Sequence, residues 1–492
     1  MTDDGKTQRL KWVLMVALFL CPNCLRSWGK MLSPLAYGLR DCISDIQRYY
    51  VMQEVHQDAV KLGCGVCYAG IDTINIEIPR DVKPLPLPDY TDFAGVVLNV
   101  RNQQKNMVLF QMSAGTKPMD VTWEQIKKRI LPDRNSDFLI IIEDDSLWVK
   151  NRIGYKYGHR RKDILLVKNG RIQNEVVASY GTRSSRPRFL RCDIANRKKI
   201  VKNLTFNRDS TSSCMTYALK IENQNDVEVE NVTINTSVPG ELYGDMAISV
   251  TNCTNVRMKD VAINGTYSQK RNYGYGICMN NVWNVTFDHL IGHGNWGVFG
   301  NNNVNKATLV NCDINRFDIH CYGKDVTFKN CIFRNLYNQF SSVYGKVSFE
   351  KCEFVDFIPV LFESSYNAYT GFDLSFSDCT WQMKQGQNYM IQAGNPSGAV
   401  NERLELKEKC WPNLAIDNMK VIAPHDVKEL YLFGCRTKPR DDVKLGYIHN
   451  IRVRNMKVFN FDNPKLKTLL YMSDIPIVFK KRLTTNILVK RK

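Results

Sequence analysis

The segment Arg316-Phe317-Asp318-Ile319-His320-Cys321-Tyr322 carries a guanidinium, a carboxylate, an imidazole and a phenol at alternate positions. In an extended chain alternate residues share a face, so Ile319 and Cys321 read as buried, and Arg316, Asp318, His320 and Tyr322 as lying together on the opposite side. Removing a proton beside a carboxylate needs a cation to neutralise the acid, a base for the proton and an acid for the departing oxygen. Arg316, helped by Asn302 or Asn303, suits the first task and His320 the second. Tyr322 or His293 suits the third, with Asp318 orienting or polarising an imidazole. The chemistry implied is β-elimination at an acidic sugar. The plainer alternative for Arg316 and Asp318 is a surface ion pair, which contributes little.

Flanking segments add groups suited to sugars. His293, Trp296, Asn301, Asn302 and Asn303 come just before, preceded by Tyr273 and Tyr275, and Arg334, Tyr337 and Tyr344 come just after. Aromatic faces stack on pyranose rings, amides bond hydroxyls, and cations hold carboxylate or sulfate. Hydrolysis instead asks for two carboxylates about 5–10 Å apart. Of Asp313, Asp318, Asp325 and Glu363, only Asp318 sits on the dense face. Calcium-assisted elimination would need a cluster of carboxylates, which the sequence lacks, so neither a metal nor a cofactor is expected.

A short repeat must position these groups. From about residue 200 an apolar, x, apolar, polar, Asn-like, apolar, x, apolar pattern recurs, as in VEVENVTI (227–234), ATLVNCDI (307–314), VTFKNCIF (326–333), VSFEKCEF (347–354) and LSFSDCTW (374–381). IRVRNMKV (451–458) is a late copy and YLFGCRT (431–437) a degraded one. The alternation makes each copy a strand with one buried face, and units of about 20–30 residues too small to bury that face alone must stack. The predicted fold is all-β: a parallel β-helix over 201–465, with a mixed, mostly β capping region over 71–200. Within that cap only TWEQIKKRIL (122–131) reads as a helix, with Thr122 as its cap. Corner residues are Asn203, Asn231, Asp260, His289, Asn311, Asn330, Lys351 and Asp378; the inward residue after each is apolar or, at 312, 331, 352 and 379, cysteine. Cysteine exchanging with Leu and Val behaves as a small buried hydrophobe, so packed free thiols are favoured over disulfides. The sequons at Asn203, Asn231 and Asn284 follow from the same corner chemistry.

The 492-residue chain has 67 Lys and Arg against 49 Asp and Glu, a formal charge of +18. Such a balance draws polyanions. The candidates are nucleic acid, an anionic membrane and an acidic polysaccharide, with a solvated basic surface as the plainer alternative. No nucleic-acid motif accompanies the charge, and an acidic polysaccharide is the expected partner. No apolar run spans a bilayer. Lys6, Arg9 and Lys11 before the apolar stretch Trp12–Leu20 read as an export signal (1–24), and a lipid anchor at Cys21 is a weak alternative. The expected location is secreted, periplasmic or cell-surface. Residues 25–70 read as a leader, with ordered structure starting near Ile71, and 466–492 as a basic tail. The pairs Cys21/Cys24 and Cys64/Cys67 are too far apart for a zinc ribbon.

The repeat resembles the pectate-lyase-like superfamily of right-handed parallel β-helix proteins, over about 200–460. Its secreted polysaccharide lyases, glycoside hydrolases and phage tailspike enzymes imply a carbohydrate-active role. GVFGNNNVNKATLVNCDINRFDIHCYG (297–323) is similar to a stretch of some bacterial and phage members with an Arg-Phe-Asp-x-His, which implies site roles for Arg316, Asp318 and His320. Gly292-His293-Gly294 resembles the Gly-His-Gly of polygalacturonase-type hydrolases, but the acidic pairs of that family are missing here. The expectation is a secreted lyase acting on a uronate-containing polymer, with glycosaminoglycans among the candidates; a non-catalytic glycan-binding adhesin or a β-helix glycoside hydrolase are the alternatives.

Overall fold

The corner residues all bend the chain in the left-handed region: φ is 60° at Asn203, 51° at Asn231, 51° at Asp260, 58° at His289, 55° at Asn311, 52° at Asn330, 53° at Lys351 and 54° at Asp378. Asn and Asp tolerate this conformation best among residues with a Cβ. Their amides also bond from coil to coil: Asn231 Nδ2 donates to Asn203 Oδ1 at 2.9 Å and Asn330 Nδ2 to Asn311 Oδ1 at 3.3 Å. The next residue turns inward. Cys312, Cys331, Cys352 and Cys379 are buried free thiols, donating to the carbonyls of Val310, Lys329, Glu350 and Ser377 at 3.2, 3.2, 3.4 and 3.3 Å.

The computed structural model describes residues 30–102, 107–150, 158–178, 180, 186–194, 197–208, 215–235, 246–264, 275–293, 297–334, 337–341, 343–362, 372–384, 386, 389–393, 412–424, 427, 429–435, 450–460, 467–469 and 484–491. The export signal with Cys21 and Cys24, and also Tyr273, Trp296 and Glu363, lie outside the described residues. The chain is a right-handed parallel β-helix in fold, and its contacts divide it into two units. The first comprises Met1–Gly115, Ile194–Cys278 and Leu290–Trp296; the second comprises Thr116–Asp193, Met279–His289 and Gly297–Lys492.

In the first unit the strands Thr73–Ile78, Tyr90–Asn102, Lys199–Arg208, Met215–Asn235 and Met246–Asn264 pair in parallel. Their register stacks Ile74, Leu98, Phe206, Ile234 and Ile263 in one buried column. The parallel stack therefore starts well before residue 201, and Met31–Leu32 and Gly65–Cys67 already belong to it. Ordered structure also starts before Ile71: Asp45–Leu62 is a helix, with the Ser44 hydroxyl accepting the Gln47 N–H and Gly63 closing the end at φ 63°. It buries Tyr49, Met52, Val55, His56 and Ala59.

In the second unit the described strands stack on three faces. One face runs through Asp318–Lys329 at its start, Asn338–Phe340, Val360–Phe362, Tyr389–Ala393 and Glu429–Cys435. The described part of that late segment, YLFGC (431–435), thus lies on this face and is not a copy of the corner repeat. A second face stacks Phe328 on Phe349 and Phe349 on Phe376, with ring centroids 4.6 and 5.1 Å apart and planes within 8° and 7° of parallel. A third carries Ile314, Phe333, Phe354 and Trp381 in register. Thr484–Arg491, in the expected basic tail, pairs in parallel with Ile451–Asn460. The separate β-rich body is narrower than 71–200: Phe138–Lys150, Gly158–Lys168 and Pro187–Asp193 form an antiparallel sheet. Against it packs the helix Trp123–Lys128, with a reciprocal cap between Thr122 and Gln125.

Candidate functional site

Two asparagines fix the strand entries on the first face of the second unit. Asn315 Oδ1 accepts the Val298 N–H and Asn338 Oδ1 the Phe317 N–H, both at 3.0 Å. With Phe317 turned into the core against Phe299 and Phe328, the residues on either side of it point outward. Arg316 lies over Gly297, where an added Cβ would come within 3.2 Å of Arg316 Cδ. Its Nη2 donates to Asp318 Oδ2 and, at 2.7 Å, to Gln339 Oε1, and its Cζ stands 5.0 Å from the Tyr337 ring centroid. Asp318 Oδ2 also meets His320 Nε2 at 3.0 Å.

The alternation reading put Arg316, Asp318, His320 and Tyr322 together on the outward face of one strand. The structure brings Arg316, Asp318, His320 and Tyr337 together, but it encloses two of them: the side chains of Arg316 and Asp318 are 1% and 0% exposed, while His320 retains 17% and Tyr337 is half-buried. The guanidinium therefore serves the carboxylate, and the imidazole reaches solvent. A buried carboxylate beside a guanidinium is a firm acceptor. It selects the tautomer with a proton on Nε2 and the lone pair on Nδ1.

The pairing of Asn301 with Ile319 and of Asn302 with Cys321 leaves His320 as an extra residue, a β-bulge. Bulges re-aim side chains. Two residues on, Tyr322 has φ 24° and is 2% exposed. Its hydroxyl donates to the Arg160 carbonyl at 3.0 Å and accepts the Lys162 N–H at 3.2 Å. Asn303 Nδ2 donates to the Lys162 carbonyl and to Asn281 Oδ1, both at 2.7 Å. Lys324 pairs with Glu175 at 2.6 Å, and Ala178, Tyr180 and Tyr344 pack around Tyr322. Tyr322, Asn303 and Tyr344, expected to line a groove, instead dock the antiparallel sheet on the coil corner. The Asp163 carboxyl holds the docked segment by accepting the Val177 and Ala178 N–H groups at 3.0 and 2.9 Å, and burial pushes its pKa up to about 7.

Other expected residues lie elsewhere. Asn301 shares the core-facing side with Phe299 and is buried there, with neither amide atom meeting a partner among the described residues. Asn302 is half-buried, with its Oδ1 enclosed. Arg334 pairs with Asp313 through Nε to Oδ1 at 2.9 Å and Nη2 to Oδ2 at 3.0 Å. Its strand Ile332–Arg334 belongs to the third face, so it does not join His320. His293, exposed, and Tyr275, half-buried, belong to the first unit. Gln339 was not anticipated. It sits opposite Asp318 in register, a position only the coil-to-coil pairing reveals. Among the described residues no group of three or more His, Cys, Asp or Glu side chains could hold a metal ion.

No family model and no curated protein matches the sequence. Among solved structures the chain is similar to the tailspike protein gp49 from Pseudomonas phage LKA1, with a TM-score of 0.55 and 11% identity over 91% of this chain and 74% of that one. It is also similar to the Gp54 tailspike of Acinetobacter baumannii bacteriophage AP22, solved in complex with A. baumannii capsular saccharide. That likeness has a TM-score of 0.50 and 13% identity over 89% of this chain and 76% of the other. At these identities the likeness is one of fold.

Proposed function

We propose that this β-helix acts at an extracellular surface on an anionic polysaccharide and cleaves it by β-elimination, with His320 as the base. One observation carries the reading: a partly exposed imidazole on a β-bulge is held by a buried carboxylate that is itself bound by Arg316. A base oriented by a second group, in turn fixed by a third, is the arrangement that proton-transfer chemistry needs. The saccharide bound to the AP22 tailspike supports a glycan as the substrate class, and the charge of +18 supports an acidic one.

In the reaction, His320 Nδ1 takes the C5 proton of a uronate residue. The electron pair forms the C4–C5 double bond, and the C4–O bond breaks. The imidazolium returns its proton to the departing oxygen on the same side. The Asn302 amide, on the adjoining strand, donates to the uronate carboxylate. Arg316 and Asp318 are positioning residues in this scheme, and the Tyr322 hydroxyl, occupied by Arg160 and Lys162, is a docking group and not the acid. Hydrolysis is less well supported, because Asp318, the carboxylate on this face, is enclosed and bound to arginine. Glycan binding without turnover is favoured by one specific observation, the burial of the Arg316 guanidinium away from any substrate carboxylate.

The test is incubation of the full chain with a panel of uronate polymers while ultraviolet absorbance of the unsaturated product is recorded. Elimination gives a rising signal that His320→Gln abolishes. Retained affinity with no signal on any polymer assigns binding alone, and new reducing ends without the chromophore assign hydrolysis.

A further inference from the structure

A guanidinium can only donate, and Arg316 Nη2 reaches Gln339 Oε1 at 2.7 Å. That bond fixes the orientation of the Gln339 amide, with the carbonyl oxygen toward Arg316 and the NH2 group turned away from it. The residue is otherwise enclosed, at 4% exposure. Its Nε2 meets no acceptor among the described residues and is not cut off from solvent. Gln339 sits opposite Asp318 in register, so it presents a donor, and only a donor, beside the carboxylate that holds His320.

A donor-only group discriminates between oxygens. A hydroxyl placed on it accepts one bond but must find another partner for its own proton. A carboxylate oxygen has no proton to place and forms the stronger, charge-assisted bond. The Arg316 guanidinium is enclosed and bound to Asp318, so the amide is what meets a ligand here. It is also well separated from the amide assigned to the reacting sugar. Asn302 lies on the strand before that of His320 and Gln339 on the strand after it, so two strand spacings, about 9–10 Å, divide their backbones. Gln339 pairs with Asp318 and leans toward Arg316, whereas Asn302 pairs with Cys321, so the two also diverge along the strand. One carboxylate does not bridge that gap. Given His320 as the base at a uronate, the reading on which this rests, we infer that Gln339 is a second acid-recognising residue, its Nε2 donating to the carboxylate of the sugar next to the reacting one. The substrate class is then a run of consecutive uronates, not a uronate alternating with a hexosamine.

The test is calorimetric titration of the full chain with polygalacturonate and alginate, built of uronates throughout, and with hyaluronate, an alternating polymer. His320→Gln replaces wild type for any polymer that is cleaved. Each titration is repeated with Gln339→Glu at alkaline pH, where the ionised side chain still accepts from Arg316 but no longer donates, and with Gln339→Met, which does neither. Wild type should bind at least one polyuronate more tightly than hyaluronate. Both variants should weaken that binding at least tenfold and change hyaluronate binding less than threefold. Because Gln339→Glu keeps the bond to Arg316, its melting temperature should stay near wild type, which separates recognition from support of the fold. The inference is overturned if both variants bind the polyuronate as wild type does, if they weaken all three polymers alike, or if hyaluronate binds as tightly as the polyuronates. Binding of hyaluronate alone removes this inference and leaves the reading of His320 standing, whereas binding of none removes both.

Discussion

Removing the Arg316 guanidinium would leave the Asp318 carboxylate enclosed, with its strongest donor gone. Breaking one side of a buried ion pair costs about 3–5 kcal/mol, whereas replacing both sides with apolar groups is often neutral. Arg316→Met should therefore lower the denaturant midpoint sharply, and the double variant Arg316→Met/Asp318→Leu should recover most of the loss. A pair that contributed little would show neither effect. For the reaction, Asp318→Asn should lower kcat with KM nearly unchanged, because the amide no longer favours one imidazole tautomer. Steady-state kinetics on the polymer found active in the panel checks this. Alternation placed Arg316, Asp318 and His320 on one face, and the structure puts them together. Alternation could not show the bulge at His320, which depends on how neighbouring coils pair. Nor could it show that Tyr322 and Asn303 are covered, since their partners Arg160 and Lys162 lie some 140–160 residues earlier in the chain.

The corner is where sequence and element correspond most directly. An Asn-like residue between two alternating runs marks a left-handed turn, and each corner adopts one. Lys351 is the misfit, a residue without a short polar side chain at φ 53°. The left-handed region costs a residue with a Cβ about 1–2 kcal/mol. Lys351→Gly should relieve that strain, partly offset by the backbone freedom glycine loses on folding, and Lys351→Asn should gain without that offset. Both should melt above wild type, with Asn the higher, in a thermal denaturation series. By contrast, the helix Asp45–Leu62 went unread because its buried stripe includes Tyr49 and His56 as well as Met52, Val55 and Ala59, while Ile46, Tyr50, Val60 and Leu62 are exposed. An apolar stripe blurred in this way gives little periodic signal, although Ser44 and Gly63 mark both ends. The early start of the parallel stack was hidden for a related reason: 116–193 interrupts it between Met107–Ser113 and Lys199–Arg208, so the regular repeat is visible only afterwards.

Across the whole molecule, two buried groups give stability opposite dependences on pH. His56 is enclosed with its Nε2 2.8 Å from the Tyr68 hydroxyl, and burial lowers its pKa to about 3 from 6.5. The unfolded chain takes up that proton below pH 6.5 and the folded chain does not, so this contribution is present above 6.5 and is lost as pH falls toward 3. Asp163 is the reverse. Its folded pKa, raised from 3.8 to about 7, makes the folded chain the better proton binder, so its contribution is present below 3.8 and is lost as pH rises through 7. Each slope is at most about 1.4 kcal/mol per pH unit. Because His56 belongs to the first unit and Asp163 to the second, the two effects should separate in space. Hydrogen exchange read by mass spectrometry should show protection of 90–102 falling from pH 6.5 to 4, an effect reduced in His56→Gln. Over the same range protection of 138–143 should rise, once corrected for intrinsic exchange, and that gain should vanish in Asp163→Asn. If both segments instead respond alike in wild type and in the two variants, the acid response belongs to the surface charge as a whole and not to these two buried groups.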